Sequence, residues 1–110
     1  MTCEDTDTTE VRLAWEIQLY EPFSRVWICR GYGRATTSAE PADIASAALA
    51  GHLIARPPRP GETFRAIART DTKQEAVVTA DQLPDTAWEP GPDVRQALPL
   101  YLRDALPAGI

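Results

Sequence analysis

Between Val11 and Tyr20 apolar and polar residues alternate without a break. Val11, Leu13, Trp15, Ile17 and Leu19 fall on one side, and Arg12, Glu16, Gln18 and Tyr20 on the other. A period of two over ten residues predicts an extended strand with one buried and one wet face. Glu21-Pro22-Phe23-Ser24-Arg25 reads as a hairpin loop, after which the chain returns through Val26–Thr37. Apolar groups on both faces of this second strand predict a place inside the sheet rather than at its edge. Gly31 and Gly33 bracket Tyr32, where glycine predicts a bulge or another group approaching closely.

The period then changes. Glu40-Pro41-Ala42-Asp43 carries proline at a first helical position and acids in a first turn, and so predicts a helix from Pro41 to about Ala55. Arg56-Pro57-Pro58-Arg59-Pro60-Gly61 stops it. Its alanines and Gly51 leave a thin surface suited to close packing on a sheet. Thr63–Thr70 and Glu75–Ala80 alternate again and predict a second hairpin. From Asp81 onward prolines 84, 90, 92, 99 and 107 interrupt the pattern. Asp93–Leu106 has helical composition, which Pro99 should split near Leu98, leaving Leu98, Tyr101, Leu102, Ala105 and Leu106 at helical spacings.

The order is therefore β-β-α-β-β, an α+β fold: an antiparallel sheet with one Ala-rich helix on a face and a Pro-rich, partly helical C-terminal segment. Three stretches follow: residues 1–10 as an acidic tail, 11–80 as the core domain, and 81–110 packing on that core or on a partner.

Charge refines this division. The formal net charge of −5 is unevenly spread. Residues 1–10 hold four acids and no base, residues 11–80 seven acids and nine bases, and residues 81–110 five acids and two bases. A mildly basic middle thus lies between acidic ends. Ten of the eleven basic residues are Arg, the cation better suited to bidentate contacts with carboxylate or phosphate. No apolar run is long enough to span a bilayer. Met1–Glu10 has neither the basic start nor the apolar stretch of a signal peptide, so a cytoplasmic address is expected, without membrane association. Cys3 and Cys29 do not make a disulfide framework, and Cys29 is expected as a small buried hydrophobe.

Catalytic and metal chemistry find little support. His52 is the single histidine and is expected at the surface or boundary of the helix. With two distant cysteines beside it, neither a zinc site nor a nucleophile–base pair has the usual spacing. Gly31-Tyr32-Gly33 lacks the context of a phosphate loop. Neither cofactor nor metal is expected.

Two constellations point to binding instead. Trp27, Trp88, Leu98, Tyr101 and Leu102 offer aromatic and leucine-rich surface beyond what one small sheet requires, and suggest a protein partner or a homodimer. Arg30, Tyr32 and Arg34 alternate along the second strand, and Arg65 and Arg69 along the third. On one face these five would form a cationic platform for an anionic ligand or nucleic acid. The leading expectation is a small non-catalytic binding or regulatory accessory protein acting through a protein–protein interface. The platform is the alternative; a small enzyme using Glu16 or His52 in a helix–sheet cavity comes third.

Overall fold

The computed structural model describes residues 10–83 and 91–106, so Trp88 lies outside the described residues. Four strands and three helices follow in the order β1 (Val11–Glu21), β2 (Val26–Thr37), α1 (Pro41–Ala55), β3 (Phe64–Thr70), β4 (Glu75–Thr79), α2 (Pro92–Gln96) and α3 (Leu100–Ala105). A 3-10 turn at Ala80–Gln82 follows β4. The sheet is antiparallel throughout, with strand order β2-β1-β3-β4. This is the α+β architecture that the hydrophobic patterning predicts.

β1 is central because it pairs on both sides, Trp15 lying between Gly33 of β2 and Ala68 of β3. Its alternation translates directly into burial: Leu13, Trp15 and Ile17 are enclosed, with Phe64, Ala66, Ala68 and Val78 beside them on the same face. The turn after β1 is built by Glu21, whose carboxylate accepts the backbone N–H groups of Phe23 and Ser24 at 3.0 and 3.1 Å.

β2, in contrast to the expectation above, is an edge strand. Its apolar residues are not enclosed on both sides; Val26 and Ile28 remain 48% and 42% exposed where the strand runs past the helices. A run of apolar residues records hydrophobicity but not the number of neighbouring strands.

Helix α1 starts as its sequence requires, with Pro41 in the first turn and the Glu40 carbonyl accepting from Asp43 and Ile44. Its buried residues Ile44, Ala45, Ala47, Ala48, Leu49, Gly51 and His52 go most of the way round the helix. That distribution marks a helix covered on two sides. The strands β1, β3 and β4 cover one side, and α2 and α3 the other. Gly51 is the point of closest approach to α3: a Cβ there would stand 2.9 Å from the carbonyl oxygen of Leu102. Pro99 splits the last segment into two short helices, so that Val94, Leu98, Leu102 and Leu106 all enter the core. Each side chain so enclosed stabilises the fold by roughly 1.5–3 kcal/mol.

Candidate binding face

All three helices lie on one side of the sheet, and no described element covers the other. Strand register lays out this bare face in rows. One row runs Arg34, Ala14, Arg69, Glu75; the next Tyr32, Glu16, Ile67, Val77; the next Cys29, Gln18, Arg65, Thr79. Trp27 and Tyr20 close one end, and Arg12 and Thr36 the other. Most of the arginine platform and one member of the aromatic set therefore share a surface.

The bulge decides which residues belong to it. Ile17 pairs with Gly31 but Gln18 pairs with Cys29, so Arg30 is the extra residue that the glycine pair foreshadowed. That one residue resets the alternation. Arg30 leaves the face of Tyr32 and Arg34 and comes close enough to His52 to disfavour its charge. Strict alternation along β2 thus misplaces Arg30. Cys29 moves the other way: expected in the core, it lies exposed on the bare face. The close approach expected at the glycines occurs at Gly33, where a Cβ would meet the Trp15 ring at 2.6 Å.

The aromatic end is organised. Trp27 packs against Tyr20 in a tilted arrangement with ring centroids 5.2 Å apart, and the Arg65 guanidinium sits 4.0 Å from the centroid of the Trp27 ring. Such a cation–π contact contributes about 0.5–1 kcal/mol at an exposed site. Arg65 Nε donates to Gln18 Oε1 at 2.6 Å, and Gln18 Nε2 donates to Glu16 Oε2 at 3.0 Å. This relay holds Arg65 and Glu16 in place. Partial desolvation pushes the Cys29 thiol up, opposed by a hydrogen bond with the Gly31 backbone and reinforced by the adjacent Glu16 carboxylate. A thiol held protonated is a poor nucleophile at neutral pH.

The other end is less tied down. Arg69 pairs with Glu75, the single ion pair among the described residues, leaving Arg12 and Arg34 without one there. Between Arg34 and Arg69 stands Ala14, whose small side chain leaves a dip in the sheet surface. The resulting open cleft, of about 1090 Å³, is lined by Arg12, Ala14, Glu16, Tyr32, Arg34 and Arg69 among others. A smaller depression of about 430 Å³ runs along the edge of β2 beside Gln96–Pro99.

The remaining expected site residues are placed differently. Leu98 and Leu102 are 2% and 0% exposed in the chain's own core, which leaves them almost no area for a partner. Tyr101 is 53% exposed beside Gly31. His52, expected at the helix surface or boundary, is buried and packs against Phe64 with ring centroids 5.6 Å apart. Burial lowers its pKa first, with Arg56 and Arg30 adding to the shift, which keeps it neutral. Neither depression is lined by α1. Among the described residues no group of three or more His, Cys, Asp or Glu is placed to hold a metal ion, and no helix is long and apolar enough to cross a membrane.

Sequence reasoning placed Gln18 on the polar side of β1 but named neither it nor Ala14, Ile67 and Val77 as site residues. The signal for Ala14 and Ile67 was present, since Ala14 lies two residues from Arg12 and Glu16, and Ile67 two residues from Arg65 and Arg69. Comparison with known proteins gives no match: no family model, no curated protein and no solved structure aligns significantly with this chain.

Proposed function

We propose that this chain is a small, non-catalytic binding or regulatory accessory protein of the cytoplasm, and that its bare sheet face docks a protein partner. The observation behind this reading is the composition of that face. Tyr20, Trp27 and Tyr32 share the face with Arg34, Arg65 and Arg69, and Ile67 and Val77 continue the Tyr32 row on β3 and β4. Tyrosine, tryptophan and arginine are the residues enriched at the energetic centres of protein interfaces, because each combines a large contact area with a polar handle. Tyr32, at 76% exposed, stands on the edge strand β2, midway along its length. Glu16 and Glu75 share the surface and the chain carries −5 overall, which favours a partner of mixed charge over a nucleic acid.

The test is affinity capture from native lysate with the full chain, at low and high salt, alongside Tyr32→Ala and Trp27→Ala variants. A discrete protein retained at high salt by the native chain and lost with both variants is the expected result. Nucleic acid released as salt rises, and lost on Arg34→Ala, would replace this reading with the anion-binding one. A protein retained equally by all forms would overturn the assignment to this face.

A further inference from the structure

We infer that the outer edge of β2, from Tyr32 to Thr36, is a strand-addition site for an extended partner segment in which apolar residues flank an acidic one. The inference rests on the docking reading above and carries it from the sheet face to the adjoining edge. Backbone pairing shows which groups that edge offers. Tyr20 N–H donates to the Thr63 carbonyl and Asp71 N–H to the Arg12 carbonyl, so the even-numbered residues of β1 turn their backbone groups towards β3. The odd-numbered ones turn towards β2, where Leu13 and Trp15 meet Ala35 and Gly33. Tyr32, Arg34 and Thr36 therefore direct their N–H and C=O groups outward, where no described strand pairs with them. All three residues are exposed, and β2 contains neither the proline nor the lysine that commonly blocks an edge. The bulge at Arg30 ends this regular stretch.

The edge also has a shelf. The depression of about 430 Å³ runs between Tyr32–Thr36 and Gln96–Pro99, the segment that joins α2 to α3. A strand added about 4.8 Å beyond β2 sends alternate side chains to opposite sides of the sheet. Those opposite Gly33 and Ala35 enter the depression beside Ala97, Leu98 and Pro99, a setting that favours apolar groups. The residue between them lies opposite Arg34 on the bare-face side. Arg34 pairs with no acid among the described residues, so a carboxylate is its complement. Trp15 lines the same depression, and its buried Nε1 has no acceptor among the described residues.

A second copy of this chain fits less well. Paired about Gly33, its β2 would offer Gly31 and Gly33 to the depression, which they cannot fill, and β2 holds no acid to set against Arg34.

Amide spectra of the full chain, titrated with the acetylated and amidated pentapeptide Thr-Val-Glu-Val-Thr, test the site. The peptide has the same pattern in either direction, so strand polarity does not matter. Expected are shifts of the Tyr32, Arg34 and Thr36 amides and of the Trp15 indole N–H, with slowed hydrogen exchange at the same amides. Replacing the central glutamate by lysine should weaken binding about five-fold, and Arg34→Glu should invert that preference. Thr36→Pro removes an outward N–H where an edge strand tolerates proline, and should weaken binding of both peptides. No edge shifts at millimolar peptide, or equal affinity for the two peptides in the native chain and in Arg34→Glu, would overturn the inference. So would protection of the edge amides without peptide in a chain that sediments as a dimer, which would assign the edge to a second copy. No partner enters this titration, so failed capture from lysate leaves the edge site standing. A captured protein that is lost with Tyr32→Ala but retained by Thr36→Pro would confine docking to the face, and would overturn the edge site alone.

Discussion

At the scale of single residues, two positions carry consequences out of proportion to their size. Gly33 is required because the indole of Trp15, 1% exposed, lies across it. Gly33→Ala is expected to destabilise the protein by about 1–3 kcal/mol through overpacking, measurable as a lower urea midpoint with unchanged slope. His52 makes stability depend on pH. Its ordinary value is 6.5, and burial, followed by Arg56 and Arg30, lowers it in the folded state. Below that ordinary value the unfolded chain takes up a proton that the folded chain resists. Stability contributed by neutral His52 is thus present above about pH 6.5 and is lost as pH falls towards the folded value. Urea unfolding between about pH 7.5 and 5.5, above the ordinary carboxylate range, should show this loss in the native chain. A native-like slope in His52→Gln would contradict it.

At the scale of elements, the α1–α3 contact sets two effects against each other. Gly51 lies inside a helix, where alanine is favoured by about 1 kcal/mol. A Cβ at Gly51, however, meets the backbone of Leu102, which cannot rotate away as a side chain can. Separation of α3 from α1 should cost more than the helix gains, so Gly51→Ala is expected to be net destabilising by about 1–2 kcal/mol. A stabilised variant in thermal unfolding would show that α3 yields easily. The helices themselves were legible because Pro41, Pro57 and Pro99 act locally, through a missing N–H and a fixed φ. The edge position of β2 was not legible, since pairing depends on which strand returns after α1 to lie against β1.

At the scale of the whole molecule, burial separates stability from binding. Leu102 is fully enclosed, so Leu102→Ala should cost about 2–5 kcal/mol. Tyr32 is largely exposed, so Tyr32→Ala should change stability by no more than about 0.5 kcal/mol while removing partner retention. Parallel unfolding and binding measurements on the two variants check this division. If Tyr32→Ala unfolded the protein, the bare face would be part of the core's support and not a free surface.

The sequence alone sufficed for the element order, the helix limits and the polar side of β1, because each follows from interactions within a few residues of chain. It also exposed the glycines at the bulge and the split at Pro99. The location of a usable surface was settled only by tertiary structure. Arg30 and Cys29 changed sides through one bulged residue, and a single insertion inverts every later assignment in a pattern of period two. Leu98 and Leu102, whose spacing fits an interface as well as a core, were claimed by α1. Trp27 and Arg65, 38 residues apart in sequence, meet because β1 lies between their strands. Periodicity fixes which residues share a side of an element, whereas long-range pairing and packing fix what that side faces.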